Sequence, residues 1–322
     1  MVLPPSRLLL AGEAIVDLVM RVPALPARGG DLLASGSAMH VGGGFNVMAA
    51  AARQGMPVVY AGGHGTGPFG DLVRAALAAE GIALLRPPDP RGDTGFDVAF
   101  VEPDGERTFV TSTGAETHPG GWETIAVAPG DAVYVSGYGL VPPVAGGPDG
   151  GLGAWAGALP DGALVFADPG PLVADIPAAT LDAVLARCDW WSCNRREAAL
   201  LTGSDDPGAA ALALLSRTRT GGAGVLVRIG REGCVVATAA GIAAAAGIAA
   251  PASVVTVPAP SVDVVDTTGA GDAHAGVFLA GLAAGMDPVT AARRANAAAA
   301  IVVTRDGPAV APSRGELDTF AW

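Results

Sequence analysis

The sequence is short of positive charge. Nineteen basic residues stand against 31 acidic ones, a net charge of −12. No basic stripe is available to follow a nucleic-acid backbone or an anionic membrane, so neither partner is expected. An anionic ligand must be held by local groups against the overall field. Cysteine is scarce too. Cys188, Cys193 and Cys234 are odd in number and form no CxxC. That excludes a disulfide framework and fits reduced, buried thiols in a cytoplasmic protein. None of the four histidines lies near Cys188 or Cys193, so a metal site there is set aside. Long apolar runs are missing as well. Leu8 to Ala11 is followed at once by Glu13 and Asp17, unlike a secretory signal. The run Ala237 to Ala250 is interrupted by Thr238, Gly241 and Gly247, and alanine is a poor membrane anchor. No GK[ST] occurs, which excludes a P-loop. Charged residues make up only 16% of the chain and hydrophobic ones half of it. That balance suits a buried α/β sheet with helices on both faces. At 322 residues there is ample chain for a core, in one large or two smaller domains.

The most informative stretch is Asp266-Thr267-Thr268-Gly269-Ala270-Gly271-Asp272. It follows a β-rich run, Val254 to Val265, and opens an alanine-rich segment, Ala273 to Ala284, that reads as a helix. A strand, a small-residue turn and a helix start gather backbone N–H groups that favour an anion. Asp272 would repel that anion unless it takes a proton from an attacking hydroxyl, a role worth about 10²–10⁴-fold. The N–H groups of Gly269, Ala270 and Gly271 would then stabilise charge on the transferring group. The alternative is a first-turn acid that merely favours the helix start.

Leu8 to Val19 reads as one buried strand ending in acidic groups, and Asp17 at its end can accept hydrogen bonds from sugar hydroxyls. Val41-Gly42-Gly43-Gly44-Phe45-Asn46 precedes a helix that stops at Gly55. Gly42 and Gly43 permit close approach of a neutral polar ligand, and Asn46 can both donate and accept. His64 is read as a surface or supporting residue. Thr94 to Thr111 reads as a β-hairpin, turning at Pro103-Asp104-Gly105, within an otherwise βα rhythm. Pro142 to Gly153 reads as a Gly/Pro loop. Asn194 and Glu197 have the spacing of one helical face. They can serve phosphate and water-held Mg²⁺, or form an N-cap and its N3 partner. Arg228 could reach a nucleotide phosphate or be a solvated strand-end charge. Gly230 and Gly233 bracket the turn after it.

Together these motifs resemble the PfkB carbohydrate kinase family, also called ribokinase-like. DTTGAGDAHAGVFLAGL is similar to its C-terminal signature, the Gly42–Asn46 region to its N-terminal one, and Asn194-x-x-Glu197 to its NxxE motif. The resemblance covers about residues 8 to 317. It implies one domain over 1–322 with a three-layer α/β/α fold, a mostly parallel central sheet and a small β-sheet lid, about 18–40 and 94–114. It also implies ATP and Mg²⁺ as cofactors and transfer of the γ-phosphate to a hydroxymethyl group of a sugar-like substrate. Asp17, Gly42, Gly43 and Asn46 would hold that substrate. Asn194, Arg228, Gly230, Gly233 and Asn296 would line the nucleotide site. A monovalent cation, K⁺, is implied at Asp266, Thr268, Val302, Arg305, Gly307 and Ala311. A homodimer could form through the lid. His274 stands where the family commonly has Phe, and packing is expected of it. Val41, Thr66-Gly67, Pro169-Gly170-Pro171 and Arg228 depart from the family pattern, so the substrate is left open. A nucleoside kinase of the same family and a non-catalytic sugar-binding protein on this scaffold are the alternatives.

Overall fold

A computed structural model describes residues 4–103, 106–117, 120–141, 151–219, 224–239 and 252–321. The turn at 104–105, most of the 142–153 loop and the alanine-rich run at 240–250 lie outside the described residues. Among the described residues, thirteen strands follow in chain order. They are β1 (Arg7–Ala11), β2 (Ala14–Arg21), β3 (Gly36–Gly43), β4 (Val58–Tyr60), β5 (Ala83–Leu84), β6 (Phe96–Val101) and β7 (Arg107–Ser112), then β8 (Asp131–Ser136), β9 (Leu164–Asp168), β10 (Trp190–Asn194), β11 (Gly224–Arg228), β12 (Cys234–Ala239) and β13 (Ala252–Val257). The helices are α1 (Gly44–Arg53), α2 (Pro68–Ala79), α3 (Gly151–Gly157), α4 (Ala178–Arg187), α5 (Arg195–Thr202), α6 (Pro207–Leu215), α7 (Ala270–Ala283), α8 (Pro288–Val303) and α9 (Arg314–Thr319).

Nine strands form the main sheet, ordered β13-β12-β11-β10-β9-β8-β1-β4-β5. From β11 to β5 all neighbours are parallel, and β12 and β13 close one end antiparallel. The strands are buried on both faces, which explains their continuous apolar runs. Trp190 and Trp191 point to opposite sides and enter two separate cores. One core lies under α1, α7 and α8, the other under α4, α5 and α6.

The second sheet has four strands, ordered β3-β2-β6-β7. Here the sequence expectation needs correction: Leu8 to Val19 is two strands in two sheets. The chain leaves the main sheet at Gly12-Glu13, and a Cβ on Gly12 would sit 2.6 Å from that of Ser136. Asp17 therefore lies in the middle of β2 rather than at the end of a core strand. Likewise the run Val254 to Val265 is a strand only to Val257, because Pro258 and Pro260 cannot donate to a ladder. The expected hairpin is present as antiparallel β6 and β7. His64 is 1% exposed, not a surface residue. Its ring lies beside the Arg86 carbonyl and the Arg74 guanidinium. The three cysteines are buried and unbridged.

Candidate active site

Parallel strands end on one edge of the main sheet, and in this class of fold ligands collect there. Four strands end at Ser136 (β8), Asp168 (β9), Asn194 (β10) and Arg228 (β11), and Glu13 follows the end of β1. These five polar groups arrive at one rim from sequence positions more than 200 residues apart.

Asp272 stands over this rim, in the first turn of α7. The helix begins at Gly269, whose φ of 71° places it in the left-handed region, at little cost for glycine. No side chain caps the helix. The Ala270 N–H reaches back to the Thr267 carbonyl at 3.3 Å. The N–H groups that follow open onto the space ahead of the helix. The Asp272 carboxylate accepts a hydrogen bond from Asn46 Nδ2 at 2.9 Å, across 226 positions of sequence. Burial raises its pKa to about 6, reinforced by Asp168 and opposed by Asn46 and Arg228. The other Asn46 atom, Oδ1, is buried without a partner among the described residues.

Arg228 is neither solvated nor free. Its guanidinium donates to Asp168 at 2.6 Å and to Ser192, and stands 3.8 Å from Glu197. Burial opposes its charge, but Asp168 and Glu197 hold it protonated. The same guanidinium lies against Gly271, within 3.4 Å of where a Cβ would be. A fixed cation thus flanks the open end of α7. Asn194 and Glu197 form the capping box of α5. Glu197 accepts from the Asn194 backbone N–H at 2.7 Å and from its Nδ2 at 2.6 Å. Burial and Asp168 push the Glu197 carboxyl up, against Arg228. Gly230 and Gly233 shape the turn after β11, both at positive φ. Asn296 is engaged in bracing the backbone: it donates to the Val257 and Pro258 carbonyls. His274 is 2% exposed inside α7, a packing residue as expected.

A cavity of about 240 Å³ separates the smaller sheet from the main body. Asp17, Val19, His40, Ala99 and Arg107 line it from the sheet, and Asp266, Thr268 and Gly307 from the opposite side. Gly42 packs so closely on Asp17 that a Cβ there would overlap its carboxylate. Gly43 is the residue from which α1 starts, at φ 62°. Burial, then Asp97 and Asp272, raise the Asp17 carboxyl to about 8.

The six positions expected around a cation gather at one loop, but arginines engage two of them. Arg107 pairs with Asp266 from β7, and Arg53 donates to the Ala311 carbonyl at 2.8 Å. The Val302 carbonyl accepts from the Arg305 N–H at 2.9 Å. Asp266 also takes backbone N–H bonds from Thr268 at 2.7 Å and Gly307 at 3.1 Å. Although burial opposes it, these bonds and Arg107 hold its carboxyl below the usual range.

Glu13, Asp97, Arg107 and Asp168 were not singled out from sequence. Asp97 had a usable signal: it lies two residues past the Thr94-Gly95 turn on the inward alternation of a hairpin. The partners of Arg107 and Asp168 are long-range and leave no local trace.

A family model described as pfkB family carbohydrate kinase matches residues 6–314. The chain is 34% identical over 326 residues to YegV, an uncharacterised sugar kinase of Escherichia coli K12, covering 97% of this chain and 93% of that one. Among solved structures, ribokinase of Arabidopsis thaliana complexed with ribose and ATP superposes with a TM-score of 0.77 at 22% identity, covering 98% of this chain and all of that one. Adenosine kinase of Sinorhizobium meliloti superposes with a TM-score of 0.78 at 26% identity, covering 97% and 98%.

Proposed function

The chain belongs to the pfkB family of carbohydrate kinases, and on that premise we propose that it transfers the γ-phosphoryl group of ATP to a hydroxymethyl group of a sugar-like substrate, with Asp272 as general base. The observation that carries this reading is the position of Asp272. It is a half-buried carboxylate, oriented by Asn46, at an uncapped helix start flanked by Arg228.

The acceptor lies between the two sheets, its hydroxyls facing Asp17 and Asn46 Oδ1. Asp272 takes the hydroxyl proton as the oxygen attacks phosphorus. The N–H groups at Gly269 to Gly271 and the Arg228 guanidinium face the charge that develops on the transferring oxygens. The smaller sheet acts as a lid that excludes water, so that phosphate goes to the acceptor. The donor set fits Mg²⁺. Glu197 and Asp168 offer hard oxygen acceptors at the phosphate end; Arg228 and the Asn194 cap already engage them directly, so they would hold the ion through the waters that Mg²⁺ usually keeps. It would neutralise phosphate charge there. The loop around Asp266 fits K⁺ poorly, because arginines already engage Asp266 and Ala311, and no step is routed through it.

The adenosine kinase likeness keeps a nucleoside acceptor as the second reading. Aromatic stacking groups would favour it. Of the three candidates, Phe45 is buried in the core and Phe96 packs on Phe69 at 5.0 Å between centroids, whereas Tyr138 is exposed beside the acids of the site, so a nucleoside acceptor stays open. The test is ADP release with ATP and Mg²⁺ over pentoses, hexoses, polyols and nucleosides, with Asp272→Asn as control. Signal that survives in the variant removes Asp272 from its role. Ligand binding with no ADP release points to a binding protein.

A further inference from the structure

β2 and β6 run parallel, and Asp17 stands in register with Asp97. Residues opposite each other on neighbouring strands share a face. That face lines the cavity through Asp17, Val19 and Ala99. Both carboxylates are more than nine-tenths buried, at 9% and 8% exposure. Asp97 Oδ1 is enclosed with no partner, and neither acid forms an ion pair, among the described residues. Two like charges placed opposite one another destabilise a sheet, and neighbouring carboxylates resist joint ionisation. Burial holds Asp97 up at about 6 as well.

Among the described residues no arginine pairs with either acid. Across the sheet, His40 faces Asp17 and Thr111 faces Asp97. From the main body, Asp272 adds a further negative charge. The nearby arginines are engaged elsewhere, Arg107 with Asp266 and Arg21 with Asp306. The chain has no lysine at all: its basic residues are arginines throughout. The pair thus leaves acceptor capacity on the face of the smaller sheet that borders the cavity, which Asp17 lines directly.

We propose that the acceptor is an amine-bearing sugar or cyclitol, its ammonium group held between Asp17 and Asp97 while its hydroxymethyl group faces Asp272. This rests on the kinase reading of the same site. The choice of an amine follows from charge. Neighbouring hydroxyls of a neutral sugar can each serve one carboxylate, but an ammonium group has three hydrogens for both and alone cancels their like-charge repulsion.

The experiment is calorimetric titration of glucosamine, galactosamine, mannosamine and 1-amino-1-deoxyfructose, each beside its neutral parent, with ADP release measured on the same set. At least one amine is expected to bind about tenfold or more tightly than its parent, since hydrogen bonds to charged groups are the strong ones. Asp97→Asn and, as a second variant, Asp97→Ala should bring that ratio close to one, with ATP affinity unchanged and the fold checked by circular dichroism. A merely structural Asp97 would move both affinities together and leave the ratio intact. No amine preference anywhere in the set overturns the inference, as does a preference that survives both substitutions. The two readings fail separately. ADP release with neutral sugars alone leaves the kinase and removes the amine. Amine-selective binding with no ADP release keeps the amine and removes the kinase.

Discussion

As the proposed base, Asp272 has to be deprotonated, yet its surroundings favour the proton. The base works above a pKa of about 6, so kcat/KM should fall as pH drops below that value, a decade per unit, and level off above it. A profile flat from pH 5 to 8 would show that this carboxylate does not gate the rate. Asp272→Asn keeps a partner for Asn46 but cannot take a proton, and kcat should drop about 10²–10⁴-fold with both KM values nearly unchanged. Gly42 sets a second residue-scale demand. Alanine there would displace the Asp17 carboxylate, and small misplacements cost up to about 10²-fold. Steady-state kinetics of Gly42→Ala should show the loss in kcat/KM for the acceptor, with the KM for ATP held.

At the scale of elements, α5 combines two roles that substitution can separate. Asn194→Ala removes an N-cap and should lower stability by about 1 kcal/mol, read as a fall in Tm. Glu197→Gln keeps the bond from the Asn194 backbone N–H and loses the one from Asn194 Nδ2. Its expected defect is a higher Mg²⁺ requirement with a smaller fall in Tm than Asn194→Ala. If Tm and Mg²⁺ dependence move together in both variants, α5 is structural only. The same element shows what was legible in the sequence. Asn194 and Glu197 were readable as a motif because three residues of helix fix their relation. The Gly269–Asp272 turn and the β6–β7 hairpin were readable for the same reason. The break at Gly12-Glu13 was not. An apolar run looks the same whether it stays in one sheet or crosses to another, and the deciding contacts come from Ser136 and Phe96, far along the chain. The Asp17–Asp97 register was hidden likewise, since it needs two strands 80 positions apart to pair in parallel. Arg228 was ambiguous locally and was settled only by the neighbouring ends of β9 and β10.

At the scale of the molecule, four acids with raised pKa values make the fold sensitive to alkali. Glu13, Asp17, Asp97 and Asp272 have pKa values raised to about 7, 8, 6 and 6, in each case chiefly by burial. A raised folded pKa gives stability that is complete below the ordinary carboxylate range and is lost as pH rises through the folded value. Tm should therefore decline from pH 5 to 9, and Asp17→Asn with Asp97→Asn should flatten the decline. A Tm rising over that window would refute the assignment. Two ion pairs join the smaller sheet to the body, Arg21–Asp306 at 2.5 Å and Arg107–Asp266. Arg107→Met loosens the better buried of them. It should raise the acceptor KM several-fold and increase ATP hydrolysis without acceptor, measured as phosphate release.

Helix α1 carries Asn46 near its start, touching Asp272. At its last residue is Arg53, which donates to the carbonyls of Ala309 and Ala311 at 2.7 and 2.8 Å and pairs with Glu80. The two residues are seven positions apart, about 10 Å along the axis. The helix between them is almost wholly buried and packs on α7. It is in effect a push-rod. A displacement of the loop at 309–311 would reach the Asn46 amide, and the Asp272 carboxylate it contacts, through this helix.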